Sequence, residues 1–300
     1  MEAGERSLQG KDVIKTLAEI YPQLYLIPGE EGAAAYADVV RAGQTPSRRS
    51  LAHFRGHALD SCVREETPAG TVPVITLGER ADFEVFLQIM AHRCTCAPIP
   101  RTQGAAILDG VVNWTKIREH EAAYLAAGGT SEGWSDEFAR FTADKANYKD
   151  ALIVLSVGPY SAVDAARAGF SEEEWLSYSH AIRKAHECTH FICRRLYPAL
   201  KDAVWDELVA DAVGLWAAFG RFDRALEELF LGVEETGYVG GRLENYVSGD
   251  ENRRERLDLL AQKVHATLCR FEEVVSDAGA PAPYELAIRL EEEIECWKQP

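Results

Sequence analysis

The sequence has no apolar run long enough to span a bilayer, which takes about 20 residues. Its longest clean run is ALIVLSV at residues 151–157. The first ten residues, MEAGERSLQG, contain no basic stretch followed by an apolar one, so we expect no secretion signal. The chain also contains no internal repeat. We therefore predict that a membrane is not a partner of this protein.

Positive charge is scarce in this chain. It has 32 lysines and arginines against 48 aspartates and glutamates, a formal net charge of −16, and the acidic residues are spread along its length. Nucleic acids and anionic lipids are bound through clusters of lysine and arginine that displace counterions. Because an acidic surface repels both, we predict that nucleic acid is not a partner.

The seven cysteines are odd in number, and their spacings form no disulfide framework. Reduced thiols predict a cytoplasmic location. The chain has 300 residues, of which 47% are hydrophobic and 27% charged, as in ordinary globular proteins. That length can fold as one large domain or as two smaller ones.

The pattern of the first hundred residues predicts a mixture of strand and helix. TVPVITL at 71–77 is typical of a strand, and ADFEVFLQIMAH at 81–92 of a buried helix. The prolines in CAPIPRTQG make residues 97–104 the candidate boundary. We therefore predict an N-terminal α/β lobe over residues 1–100 and a second domain over 101–300.

After that boundary, strands are predicted before residue 170 and helices alone beyond it. ALIVLSV reads as a buried strand, and GVEETGYVGGRLENYVSG at 232–249 as a loop. The predicted helices cover about residues 115–127, 135–144, 171–197, 202–218, 221–231, 251–276 and 284–297. This segregation predicts an α+β fold: a mixed N-terminal lobe, a small sheet over the helix that carries HECTH, and an all-helical C-terminal half.

The HECTH stretch at residues 186–190 lies deep in a helix with strong local signals. Ser171 is the predicted N-cap, and Glu174 is its capping-box partner. Residues four apart in a helix lie about 40° from each other around its axis. His186 and His190 can therefore direct two imidazole nitrogens at one metal ion.

A catalytic zinc site needs three protein ligands and a water. Glu187 is too close to His186 in sequence to be the third ligand, but it can hold and deprotonate the water. Glu207, on the following helix, is the candidate third ligand. Asp211 lies one turn further, where it can accept the N–H of a ligand histidine. Both carboxylates interrupt an apolar stripe, in which unpaired charge is costly.

Over residues 105–220 the arrangement resembles the gluzincins, the thermolysin-like branch of zinc metallopeptidases. Their signature is HExxH followed, on the next helix, by a glutamate ligand and an aspartate four residues later. The resemblance implies a zincin-like domain in which Zn²⁺ is held by His186, His190 and Glu207. Glu187 would be the general base, and Asp211 would orient His186. Two features depart from the family pattern. Asp206 stands where many relatives have asparagine, and the spacing from His190 to Glu207 is somewhat shorter than in thermolysin-like enzymes.

The function predicted from these residues is zinc-dependent hydrolysis of an amide bond, with a peptide or another small amide as substrate. Two alternatives stay open. One is a non-hydrolytic metalloenzyme that holds iron or copper at the same ligands. The other is a non-catalytic binding protein in which zinc ties two helices together. The sequence indicates neither the substrate's identity nor the oligomeric state.

Hydrolysis of an amide also needs a group that stabilises the oxyanion. The candidates for this role are Tyr160, Tyr238, Arg242 and Tyr246, although packing tyrosines and a paired arginine would look the same. The remaining histidines and cysteines give weaker signals. His180 and His265 read as structural, and Cys188 as a packed thiol. A second metal site at His53 and His57, or at His92, Cys94 and Cys96, has little support because the required spacings are missing.

Overall fold

A computed structural model describes residues 8–10, 12–199, 202–277, 279 and 281–293. The chain divides into two compact units. One comprises Met1–Glu65 and Val72–Val157, and the other Glu66–Thr71 and Gly158–Pro300. Helices dominate, and the sheets are small, so the predicted α+β class is confirmed. Among the described residues, no helix combines the length and the apolar character needed to cross a membrane.

The first unit is built on a five-stranded sheet with strand order β1-β2-β3-β5-β4. β3 and β5 are parallel, with Val74 opposite Ile153, and β4 is antiparallel to β5. The described elements of this unit are β1 (Leu8–Gln9), α1 (Asp12–Ile20), α2 (Glu30–Ala42), β2 (Ser61–Thr67), β3 (Gly70–Leu77), α3 (Arg80–Met90), β4 (Ala105–Val112), α4 (Trp114–Ala126), α5 (Trp134–Ala143) and β5 (Lys149–Ser156).

The strand TVPVITL and the helix ADFEVFLQIMAH are confirmed as β3 and α3. The core of this unit lies between the sheet and its helices, where Leu24, Ile75, Phe83 and Phe86 are fully buried. The division between the units differs from the predicted boundary at residues 97–104. It falls between Val157 and Gly158 because β4 and β5, which follow the prolines, pair with β3 in one sheet.

The second unit is mainly helical. Its elements are α6 (Ala165–Ala168), α7 (Glu172–Leu196), α8 (Ala203–Phe219), α9 (Arg224–Leu231), β6 (Val233–Glu234), β7 (Gly237–Tyr238), α10 (Arg253–Asp277) and α11 (Pro283–Glu292). A 3-10 turn, Arg242–Tyr246, follows the hairpin of β6 and β7. That hairpin corrects the prediction that the chain is helical throughout after residue 170.

Four large aromatic side chains, Trp175, Trp205, Phe230 and Phe271, are fully buried in the core of the second unit. They come from α7, α8, α9 and α10, so one core holds the four helices together. The last predicted helix, 284–297, extends beyond Glu293, and that part lies outside the described residues. The sheet belongs to the first unit and the HECTH helix to the second, so a sheet over that helix stays a prediction.

Candidate metal centre

The candidate centre is built on α7 and α8 of the second unit. α7 begins at the predicted capping box, in which Ser171 accepts the N–H of Glu174 and the Glu174 carboxylate accepts the N–H of Ser171. Asp202 caps α8 in a similar way, by accepting backbone N–H groups of its first turn. The two helices pack closely at Gly214, where a Cβ atom would lie 2.9 Å from the carbonyl oxygen of Ile182.

His186 and His190 of α7 converge with Glu207 of α8. The Nε2 atoms of the two histidines lie 2.9 Å apart. The Glu207 carboxylate places one oxygen 3.4 Å from His190 Nε2 and the other 3.8 Å from His186 Nε2. The predicted combination of ligands from two helices is therefore present.

The donor set fits a small divalent cation. Ligands of one tetrahedral zinc ion, each about 2.0–2.1 Å from the metal, lie about 3.3 Å from one another. The two Nε2 atoms lie 2.9 Å apart, and each lies 3.4 or 3.8 Å from a different oxygen of Glu207, distances close to that value. Two imidazole nitrogens and one carboxylate oxygen are also ligands that zinc accepts.

The other ring nitrogen of His186 is held by a buried network. Its Nδ1 lies 2.8 Å from Asp211 Oδ1 and 2.8 Å from the Tyr160 hydroxyl. That hydroxyl donates to the same Asp211 oxygen at 2.6 Å. Because the Nδ1–H faces a carboxylate, Nε2 keeps its lone pair for a metal. The position predicted for Asp211 is thus the one that it occupies.

Arg242 completes this network, since its guanidinium pairs with the second oxygen of Asp211. Burial acts to raise the pKa of Asp211, but Arg242 and His186 outweigh it and hold that pKa below its ordinary value. Burial and the neighbouring Asp211 carboxylate raise the pKa of Tyr160 well above its ordinary value. Tyr160 is therefore a neutral hydrogen-bond donor to an ionised aspartate.

His190 has a carboxylate partner of its own. Asp206 Oδ2 lies 2.8 Å from His190 Nδ1, although the contact is off the N–H axis and forms no well-aligned hydrogen bond. Burial acts to lower the pKa of His190, but Asp206 and Glu207 outweigh it and raise this pKa to about 10. The pKa of Glu207 is lowered despite burial, mainly by His190 and His186. A cation between these groups would take the place of the imidazolium proton.

Glu187 follows His186 directly on α7 and is half-buried. Successive helix residues differ by about 100° around the axis, so Glu187 leaves the line of the two ligand histidines. It is not one of the three residues whose ligand atoms converge. It therefore lies outside the candidate ligand set, and its role as a base stays a prediction.

The oxyanion candidates occupy different places. Tyr160 lies on the Nδ1 side of His186, away from the converging Nε2 atoms, so its geometry fits the positioning of Asp211 rather than contact with substrate. Arg242 is committed to Asp211 and lies 3.7 Å from Glu207 Oε2. Tyr246 is half-buried, and its hydroxyl interacts with Glu207. Of the three, Tyr246 is the one best placed beside the metal ligands.

The other histidines and tyrosines agree with their structural interpretations. The Tyr238 hydroxyl donates to the Gly241 carbonyl and accepts the Gly241 N–H. His265 pairs with Glu228 at 2.8 Å. His180 is half-buried, and its Nδ1 has no hydrogen-bond partner within the described part of the chain. None of the three belongs to the centre.

The weaker metal candidates do not form sites in the part of the chain that the structure describes, where only two groups of potential ligands converge. His53 bonds to the Leu24 carbonyl oxygen at 3.0 Å. Cys94 is buried and Cys96 is exposed. Cys188 is a buried thiol, as predicted.

Two residues of this region were missed by the sequence reading. The sequence marks Asp206 only as a departure from the gluzincin pattern, yet Asp206 lies 2.8 Å from His190 Nδ1. A second carboxylate directly before the ligand Glu207, on the same helix, was the available signal. The second missed residue is Glu227, which is fully buried. Burial raises the pKa of its carboxyl, and the Asp211 carboxylate raises it further. No sequence pattern marks it, since α9 reads as an ordinary amphipathic helix.

Comparison with protein families gives one match, a family of unknown function, DUF7005, over residues 5–286. The chain therefore belongs to that family. Comparison with curated proteins and with solved structures finds no match.

Proposed function

We propose that the protein is a zinc-dependent hydrolase of amide bonds, most directly a peptidase, with Zn²⁺ held by His186, His190 and Glu207. The observation that carries this proposal is the convergence of their ligand atoms, with separations of 2.9–3.8 Å, from two closely packed helices. Asp211 and Asp206 support it because each faces the outer nitrogen of one ligand histidine.

In the proposed reaction, bound zinc would polarise the substrate carbonyl and acidify the attacking water. Glu187 would take the proton of that water and deliver it to the leaving amine. Asp211 and Tyr160 would keep His186 in the tautomer that leaves Nε2 free to bind. Tyr246, beside Glu207, would donate a hydrogen bond to the oxygen that becomes negative during attack.

The decisive experiment compares the wild type with Glu187→Gln. We expect the purified wild type to bind one zinc per chain at this centre and to cleave members of a mixed peptide library, detected by mass spectrometry. The Glu187→Gln variant should retain zinc and lose at least about 100-fold in rate, the contribution typical of a general base. Glu173→Gln, on an exposed position of the same helix, is the matched control and should keep full activity.

A fully active Glu187→Gln variant would refute the role proposed for this carboxylate. Stoichiometric iron or copper in the purified protein would favour the non-hydrolytic alternative. Bound zinc with no cleavage of any peptide or small amide would favour a structural metal. Elemental analysis and the library assay together therefore separate the three functions.

The zincin-like fold and the cytoplasmic location belong to the same proposal. No disulfide joins the six described cysteines, which supports a reducing compartment. The net charge of −16 supports a substrate other than nucleic acid.

A further inference from the structure

A second group of ligand-type side chains lies next to the centre, in the same unit. It consists of Cys193 on α7, Asp206 on α8 and Glu291 on α11, and one ligand atom from each lies within 4.8 Å of the others. One thiol and two carboxylates from three helices offer a mixed set of soft and hard donors.

A cavity opens beside these three side chains. Its volume is about 240 Å³, and its lining includes Cys193, Asp206 and Glu291 together with Trp205, Asp202 and Arg194. A water molecule in the liquid has a share of about 30 Å³, so the space admits a cation and the water that would complete its coordination. Of these lining residues, Arg194 is the single basic one.

Two of the three donors are buried where an uncompensated polar group is costly. Cys193 is 6% exposed and Glu291 is 3% exposed. The Cys193 thiol and the Glu291 carboxyl share a hydrogen bond. Trp205 Nε1 also donates to Glu291 at 3.1 Å. A cation could therefore replace the proton that the thiol and the carboxyl share.

An independent observation comes from His190, whose buried Nδ1 makes no well-aligned hydrogen bond within the described residues. It faces Asp206 Oδ2 at 2.8 Å. A carboxylate has two oxygens and about four lone-pair directions, so Asp206 can face His190 with one oxygen and a cation with the other. The orientation of Asp206 in the structure leaves the histidine contact incomplete.

We propose that Cys193, Asp206 and Glu291 form a second divalent-cation site, with zinc-like preference for a thiolate, that shares Asp206 with the first centre. Because Asp206 also faces His190 Nδ1, the two centres share this carboxylate. The sharing rests on the proposed zinc centre, whereas the cation site itself does not.

The test uses cobalt(II) and zinc with the purified, chelator-treated full chain. Only the second site contains sulfur, so a thiolate-to-cobalt charge-transfer band in the near ultraviolet reports on it alone. We expect this band in the wild type and two zinc equivalents per chain by elemental analysis. Cys193→Ser and Glu291→Gln should each reduce the count to one, and Cys193→Ser should abolish the band.

Two controls separate the sites. Cys188→Ser removes another buried thiol from the same helix and should keep both the band and the second equivalent. His186→Ala removes the first site and should keep the band, so failure of the first centre leaves the second detectable. A circular dichroism spectrum and a urea unfolding midpoint close to those of the wild type show that Cys193→Ser is folded. A wild type without the band, or a band that survives in Cys193→Ser, would overturn the second site.

Discussion

Replacing Glu227 with glutamine should stabilise the protein relative to the wild type, and this difference should grow as the pH rises. Glu227, on α9, is 0% exposed, and neither of its carboxyl oxygens has a hydrogen-bond partner within the described residues. Burial raises the pKa of this carboxyl well above its ordinary value, and the Asp211 carboxylate raises it further, while Arg242 opposes both. The folded chain therefore keeps a proton on Glu227 that the unfolded chain releases.

The sign and size of the effect follow from proton linkage. An unfolded glutamate has a pKa of about 4.3, so above about pH 5 only the folded state still binds this proton. A group with a raised folded pKa loses its stabilising contribution as the pH rises toward that pKa. Each pH unit then lowers the free energy of unfolding by about 1.4 kcal/mol. Glutamine has no such proton, so the variant should gain stability on the wild type as the pH rises above about 5, by at most about 1.4 kcal/mol per pH unit.

This difference can be measured by urea unfolding of both proteins at several pH values and one zinc concentration. All other titrating groups are shared by the two proteins, so their contributions cancel in the difference of unfolding free energies. Glu228→Gln is the matched control. Glu228 is the next residue, but it pairs with Arg224 at 2.9 Å and with His265 at 2.8 Å. Its replacement should lose up to about 1 kcal/mol. A difference between Glu227→Gln and wild type that is flat or falls with pH would show that Glu227 is ionised and paired.

Three further substitutions test the support of the centre. Asp211→Asn should weaken zinc binding about 10- to 100-fold in chelator competition, and unchanged zinc affinity would contradict this role. The same variant should cost about 3 kcal/mol in urea unfolding, since it removes the charged partner that pairs most closely with the partly buried Arg242. Ser171→Ala removes the cap of α7 and should lower the unfolding free energy by about 1 kcal/mol, whereas no loss would mean that the cap is dispensable. Gly214→Ala places a Cβ 2.9 Å from the Ile182 carbonyl oxygen and should cost about 1–3 kcal/mol; a fully stable variant would show that the helices can separate there.

The parts of the fold that could be predicted are those fixed by local chemistry. Ser171 and Glu174 predicted the start of α7 because a capping box depends on neighbours three residues apart. The boundary between units could not be found in the same way. Prolines at 98 and 100 interrupt the chain locally, but β4 and β5 return to β3 through long-range pairing. A local break in pattern therefore does not mark the end of a folded unit.

The centre was predictable for a similar reason. His186 and His190 share a face by helix geometry, and Glu207 and Asp211 repeat that spacing on the next helix. The contacts made by Asp206 depend on how α8 is rotated against α7, which no spacing in the sequence specifies. The same holds for Glu227, whose burial results from packing in the second unit. Sequence thus predicts which side chains converge, and packing determines which groups lie beside them.

Charge balance around the centre is an argument for a divalent cation that does not depend on the motif. Asp206, Glu207 and Asp211 bring three carboxylates together, while Arg242 supplies one positive charge. With both ligand histidines neutral, two negative charges are left, and one divalent ion neutralises them. Burial, with the Asp211 carboxylate adding to it, raises the pKa of a fourth carboxyl in this region, that of Glu227, well above its ordinary value. A proton on one of the two histidines would supply half of the missing charge. A cation that binds here must displace that proton, so the affinity of the centre for the cation should rise with pH.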